Sequence, residues 1–266
     1  MSSVLDSESM SPLVSVVIPT YQGGTRLREA VVSVLNQTIS DMQVLVVDDG
    51  STDGSTDRLE ELDDRVRVIR LPTNTGSPAA PRNEGVAQST GRWVAFLDGD
   101  DRWHPTKLAE QLDRLRSSGT SAAAGNAVRV NGSTLTVQAN YFEELPEMVT
   151  AVDLIRTNPI ITSSMIVRRD VLSNAMPFPT GGGSIYEDLA VWLRVAALTR
   201  VSLDSRALVD YSDRPEASFR SQYDAAVAFR NTFRDFSSWC SDQGVGISLR
   251  ERGLMLLVRV RSRLRP

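Results

Sequence analysis

Two residue types that usually carry soft-metal and redox chemistry are almost missing: the chain has one cysteine, Cys240, and one histidine, His104, in 266 residues. A lone thiol excludes an intrachain disulfide, and one thiol with one imidazole cannot build a Cys/His zinc site. A reducing compartment, the cytoplasm, is therefore the expected setting. No apolar run approaches the roughly 18 residues of a membrane span. Met1 to Met10 is short and polar, without the apolar centre of a signal peptide. The net charge of −4 gives no general attraction for nucleic acid. Neither Gly-x-Gly-x-x-Gly after the first strand nor a Walker pattern ending in Gly-Lys-Ser/Thr occurs, which removes the two commonest glycine cradles for phosphate. There is no internal repeat and no low-complexity linker. The remainder is ordinary, 41% hydrophobic and 23% charged. It is long enough for one large α/β domain, alone or with an appended helical tail.

The first half has a regular grammar. Val14-Ser15-Val16-Val17-Ile18 is a β-branched run of strand length stopped by Pro19. Thr25 suits an N-cap, and Leu27, Ala30, Val31, Val34 and Leu35 then mark one face of a helix. Strands follow at Gln43 to Val47, Val66 to Leu71 and Arg92 to Leu97, with a helix carrying Leu59 and Leu62 between the first two; Gly76 to Ser89 is small and polar. Strands alternating with helices every ~20 to 30 residues predict βαβ units and a mostly parallel, Rossmann-like sheet flanked by helices. Later segments predict a helix over His104 to Leu115, a hairpin over Ala122 to Val137, a helix over Met148 to Ile155 and a strand over Ile160 to Val167. Beyond these come a flexible Gly181-Gly182-Gly183 loop, a helix over Glu187 to Leu198, a strand over Val201 to Tyr211, and helices over Gln222 to Cys240 and Leu249 to Leu264.

The chemistry gathers where strands end. Val94-Ala95-Phe96-Leu97 runs straight into Asp98-Gly99-Asp100-Asp101, and Val46-Val47 into Asp48-Asp49. Ligands of open α/β sheets bind at that carboxyl rim. Three carboxylates in four residues repel one another unless a cation lies between them. Hard oxygens suit Mg²⁺ or Mn²⁺, which take one or two carboxylates together with substrate phosphates. Such an ion at Asp100 would neutralise a pyrophosphate. Asp49 can then accept a hydrogen bond from a base N–H while Tyr21 stacks on the ring. The plain alternatives are an acidic surface turn, a half-buried loop aromatic at Tyr21, and a strand-end capping role for Asp48.

Five pieces in order carry a resemblance: Val14 to Tyr21, Ser33-Val34-Leu35-Asn36-Gln37-Thr38, Val46 to Asp53, Arg82-Asn83 with Gly85, and Phe96 to Asp101. Together they resemble the opening of family 2 glycosyltransferases, strongly from Val14 to about Leu115 and more thinly to about Leu198. The resemblance implies a GT-A fold, a nucleotide-sugar donor with a UDP-sugar favoured, and an inverting, Mn²⁺- or Mg²⁺-aided transfer to a glycan or lipid-linked acceptor. It places the Pro19 backbone, Tyr21 and Asp49 at the base, Arg82 at the nucleotide or its phosphates, Asp98 by ribose and metal, and Asp100 on the metal. The general base of the family stands at a helix start in the second half. Asp188 matches that place, with Glu187 in reserve and Asp153 a further alternative; a helix start dressed with acids for its macrodipole is the plain reading.

On this reading residues 1–12 are a flexible N terminus, 13–215 the catalytic domain, and 216–266 a helical extension. The domain divides into a nucleotide-binding half of about 13–118 and an acceptor half of about 119–215. His104 is either a contact to metal or phosphate or a helix-start residue packed beside Trp103. Between Arg250 and Arg265 stand six arginines against Glu251. That basic amphipathic pattern suits peripheral contact with the inner face of a membrane, or a terminal helix packed on the domain with solvated arginines. Two other functions stay open at this level. A sugar-phosphate nucleotidyltransferase would want a Gly-rich, Arg/Lys-bearing loop after the first strand, where Pro19-Thr20-Tyr21-Gln22 stands. A non-catalytic doubly wound signalling or binding module would need no second acidic helix start.

Overall fold

The computed structural model describes residues 11–131, 136–180, 186–213, 225–247 and 253–255. Its first half follows the hydrophobic grammar: β1 (Val14–Thr20), α1 (Gly24–Leu35), β2 (Met42–Asp48), β3 (Val66–Arg70), α2 (Ala79–Ala87) and β4 (Trp93–Phe96). Every residue of β1 is buried, and β2 nearly so, as a parallel strand covered on both faces requires. The second half comprises β5 (Arg102–Trp103), α3 (Lys107–Ser118), β6 (Ala122–Asn131), β7 (Val137–Asn140), β8 (Met148–Val149) and α4 (Ala151–Arg156). A single 3-10 turn (Thr162–Ser164) follows, then β9 (Ile166–Arg168), α5 (Arg169–Ala175), α6 (Glu187–Leu198), β10 (Val201–Asp213) and α7 (Ala225–Asp242).

The strands form one sheet in the order β3-β2-β1-β4-β9-β6-β10-β5, with β7 beside β6 and β8 beside β10. β3, β2, β1 and β4 are mutually parallel. β9 then enters antiparallel to both β4 and β6, β10 runs parallel to β6, and β5 closes the edge antiparallel to β10. The fold is thus mixed α/β, and the expected run of parallel neighbours is confined to β3, β2, β1 and β4 and to the β6–β10 pair. Because β1, β2 and β4 point the same way, the loops after Thr20, Asp48 and Phe96 share one rim. Two apolar clusters cover the two faces: one gathers α1 and α3, and the other gathers α2, α4, α5, α6 and α7.

Several local expectations are corrected. Leu59 and Leu62 sit in turns, because Arg58 at φ 60 breaks the helical path and Asp57, Glu61 and Leu62 close turn hydrogen bonds instead. Thr25 lies inside α1; the cap position is Gly23, and the orphan N–H of Gly24 is taken by Asp53 Oδ2 at 3.0 Å. The small, polar stretch after Gly76 holds α2, whose Pro81 occupies the first turn, where no intrahelical donor is needed. Met148 and Val149 form a strand, and the helix starts only at Ala151 behind a Thr150–Asp153 capping box. Residues 160–165 carry the 3-10 turn ahead of β9 rather than a continuous strand.

Helix α7 is packed into the core. Phe233, Phe236, Trp239 and Cys240 are buried in the cluster that also holds α6, and each fully buried ring contributes roughly 1.5–3 kcal/mol. Arg194 of α6, almost wholly buried, donates to the Ala175 and Pro177 carbonyls and to Asp235 of α7. The expected basic helix over 249–264 and the Gly181 to Gly183 loop lie outside the described residues, apart from 253–255.

The smallness of α2 has a steric cause. A Cβ at Gly85 would stand 2.4 Å from Val17 Cγ1 and 3.1 Å from Cγ2 on the buried central strand, and Val17 is stiff at χ1. Gly85→Ala should therefore cost about 1–3 kcal/mol, read as a lower urea midpoint. Gly246→Ala, with nothing within 4 Å of its added carbon, is the control expected to leave the midpoint in place.

Candidate active site

The shared rim encloses a cleft of about 550 Å³, within the usual range for small-molecule sites. Pro19, Tyr21, Asp49, Arg82, Asp98 and Asp100 all line it, with Asn74, Ser77 and Gly99. Six positions singled out along 82 residues of sequence therefore meet in one hollow. A second cavity of about 600 Å³ opens elsewhere, lined by Arg92, Arg168, Arg169 and Asp170. There Arg168 is paired with Asp170, and Arg169 donates to the Gly91 carbonyl.

Each wall is held by identifiable contacts. Asp49 is buried, and both its oxygens accept from the backbone N–H and hydroxyl of Thr75 at 2.9–3.1 Å. This pins the 74–77 loop over the cleft and leaves carboxylate lone pairs for a further donor. Asp48 caps its own strand end, accepting from Ser51 N and Thr56 Oγ1. Tyr21 is 49% exposed at the mouth, where its ring is available for stacking. Gly99 passes close beneath Pro19, with a Cβ there falling 3.3 Å from the Pro19 carbonyl.

Arg82 of α2 lines the cleft and is itself buried. Its guanidinium donates to Asp98 Oδ1 at 2.7 Å and to Glu187 Oε1 at 2.9 Å. One cation thus joins the acidic turn after β4 to the first residue of α6. Burial works against its charge, yet Asp98, Glu187 and the neighbouring Asp188 outweigh this and hold Arg82 above its ordinary pKa. Burial, followed by the charge of Asp188, pushes Glu187 up to about 7 against the opposing pull of Arg82. Asn83, next along α2, exchanges hydrogen bonds of 2.9 and 2.8 Å with the backbone of Phe178, fixing α2 to the chain that leads towards α6.

Asp188 is 8% exposed; its Oδ2 accepts from Thr162 Oγ1 at 3.0 Å and its Oδ1 from Leu189 N at 2.7 Å. Asp101, the last acid of the turn, points inward to Ser163 Oγ and Ser212 N. Burial first, then the charges of Asp100 and Asp98, hold its pKa well above the carboxylate range. Asp98 and Asp100 therefore remain as the rim carboxylates. Among the described residues no group of three or more acidic, His or Cys side chains is arranged to hold an ion by itself. Two hard carboxylates fit Mg²⁺ or Mn²⁺ provided that ligand phosphates complete the shell.

Two candidates are placed elsewhere. His104 pairs with Asp210 at 3.0 Å, away from the cleft lining. Asp153 accepts from the backbone and hydroxyl of Thr150 as a helix cap. Thr162 and Ser163, which touch Asp188 and Asp101, carry no spacing signal in the sequence. Among the described residues no helix is long and apolar enough to cross a membrane.

Known proteins resemble this chain in sequence and in fold. The family model described as glycosyl transferase family 2 matches residues 15–176, more than half of the chain. TuaG of Bacillus subtilis, named as a teichuronic acid biosynthesis glycosyltransferase, is 34% identical over 68% of this chain and 71% of its own length. WfgD of Escherichia coli, named as a UDP-Glc:alpha-D-GlcNAc-diphosphoundecaprenol beta-1,3-glucosyltransferase, is 28% identical over 71% of this chain and 72% of its own. In structure, S. aureus TarS 1-349 in complex with UDP-GlcNAc superposes with a TM-score of 0.73 at 24% identity, covering 94% of this chain and 72% of that one. The chain spans 43% of a longer TarS structure. On the family match and the TuaG relationship, the chain belongs to glycosyl transferase family 2.

Proposed function

We propose that this glycosyltransferase moves a sugar from a nucleotide-sugar donor, a UDP-sugar in the first instance, to a hydroxyl of a glycan or lipid-linked acceptor, with inversion and with a divalent cation. The observation that carries the reading is the Arg82 bridge, which joins Asp98 of the cleft lining to Glu187 at the start of α6, next to Asp188. The UDP-GlcNAc complex of TarS and the donor and acceptor in the name of WfgD favour this substrate class.

The chain's residues divide the work as follows. Tyr21 stacks on the base and Asp49 accepts from it, while the Pro19 backbone borders the same end of the cleft. Asp98 and Asp100 would hold Mn²⁺ or Mg²⁺, whose charge offsets that of the leaving diphosphate when bound. Arg82 keeps Asp98 and Glu187 together while lining the cleft in which the nucleotide or its phosphates would lie. Asp188 takes the acceptor's proton. The acceptor oxygen forms its bond to the anomeric carbon on the face opposite the nucleotide, and the bond to the diphosphate oxygen breaks with its electron pair leaving on the nucleotide. Asp188 suits the base role better than Glu187, because Glu187 is committed to Arg82.

A positioned base contributes roughly 10² to 10⁴ in rate. Asp188→Asn should lose a factor in that range while calorimetric UDP affinity in Mn²⁺ stays within about threefold; parental turnover in a screen of UDP-, GDP- and dTDP-sugars would move the base elsewhere. A titration with UDP and Mn²⁺ that produces no heat would instead favour a non-catalytic module. Glu187 supplies a pH test. Its folded pKa is raised from 4.5 to about 7, so the native state holds a proton that the unfolded chain has released. That contribution is complete below about 4.5 and lost as pH climbs towards 7. The urea midpoint of the parent should accordingly fall relative to Glu187→Gln across this window, and parallel curves would show that no such proton is held.

A further inference from the structure

The 3-10 turn Thr162–Ser164 touches both halves of the catalytic apparatus and has no role in the reading above. Thr162 Oγ1 donates to Asp188 Oδ2 at 3.0 Å. The hydroxyl of Ser163 donates to Asp101 and accepts from the backbone N–H of Asp98 at 3.0 Å. One residue therefore grips the carboxylate at the start of α6, and the next grips both ends of the acidic turn. All three side chains are buried.

The turn is itself anchored to the core. The Ser163 carbonyl accepts from Trp103 Nε1 at 2.6 Å, and the Ser164 carbonyl from the buried Gln111 at 2.7 Å. Ser164 Oγ accepts from Gly125 N and donates to the Ile161 carbonyl. Rotating this turn would break bonds to α3, β5 and β6 together, so it behaves as a rigid spacer. Asp188 is held less redundantly. One oxygen accepts from Leu189 N of its own helix, and the other accepts from the Thr162 hydroxyl.

We propose that Thr162 is a positioning residue that fixes the orientation of the Asp188 carboxylate relative to the acidic turn, with Ser163 holding the turn at the other end of the same spacer. The inference rests on the assignment of Asp188 as base. Without the Thr162 hydroxyl the carboxylate keeps its bond to Leu189 N but loses the hold on Oδ2, and a misplacement of about 1 Å costs up to roughly 10²-fold in rate. Donor binding, assigned to Tyr21, Asp49 and Asp100 of the cleft lining, is untouched.

The test compares Thr162→Val, which keeps the shape and removes the hydroxyl, with Thr162→Ser, which keeps the hydroxyl. Both are set beside Asp188→Asn and the Thr162→Val/Asp188→Asn double variant, by UDP release from UDP-GlcNAc and UDP-Glc with water as acceptor. Thr162→Val should lower kcat by about 10- to 100-fold with donor KM within about twofold. Thr162→Ser should recover most of the loss, and the double variant should be no slower than Asp188→Asn alone. Parental kcat in Thr162→Val, or a loss that Thr162→Ser does not recover, overturns the proposal while leaving Asp188 as base. Full turnover in Asp188→Asn sinks the base assignment and the proposal together. A crystal structure of Thr162→Val decides independently of turnover: a carboxylate displaced by about 1 Å supports the proposal, and one in the parental orientation overturns it.

Discussion

The active cleft depends on one buried guanidinium. Arg82 is flanked by Asp98, Glu187 and Asp188, and without it three carboxylates would face one another with burial raising the cost of each charge. A buried ion pair is weak evidence for net stability, but removing one member leaves an uncompensated charge. That asymmetry makes Arg82 a specifier of geometry: α2, the turn after β4 and the start of α6 are acceptable only where all three meet it. The steric fit of Gly85 on Val17 and the Asn83–Phe178 exchange bring α2 close enough for this.

The acids of the Asp98 to Asp101 turn serve different ends despite their adjacency. Asp101 turns into the protein, where Ser163 and Ser212 hold it. Asp98 is shared with Arg82 and reaches the rim beside Asp100. Under the proposed function a cation there would be completed by the ligand's phosphates rather than by the protein alone, which would couple ion and nucleotide binding. The same economy appears at Asp49, which braces its loop through Thr75 while lining the same cleft.

The antiparallel insertion of β9 between β4 and β6 has a consequence for the cleft. It ends the parallel run β3-β2-β1-β4 and brings the 3-10 turn just ahead of it against the acidic turn. From the other side, α7 stacks Phe229 against Tyr186, the residue before Glu187, with ring centroids 4.3 Å apart. The Arg194–Asp235 pair ties the same two helices further along. The start of α6 is thus held from below by the 3-10 turn and laterally by α7.

The chain by itself determined whatever has a short period or a short range. Two-sided apolar runs wrote β1, β2 and β4, a clean 3.6-residue stripe wrote α1, and acids directly after strands wrote the rim. The helix start at Glu187 was equally readable, because an apolar helix opening on two acids is a local pattern. Leu59 and Leu62 were misleading, since two apolar positions cannot outweigh a left-handed Arg58, and α2 was hidden because a helix pressed onto a strand at Gly85 has no amphipathic stripe to display. Tertiary structure alone decided that Arg82 is buried and turned to acids 16 and 105 residues away, that Asp101 points inward while Asp98 reaches the rim, and that Thr162 meets Asp188. Those choices rest on hydrogen bonds and ion pairs between distant segments. Such contacts leave no periodic trace in the sequence, because they arise only once the sheet has brought their partners together.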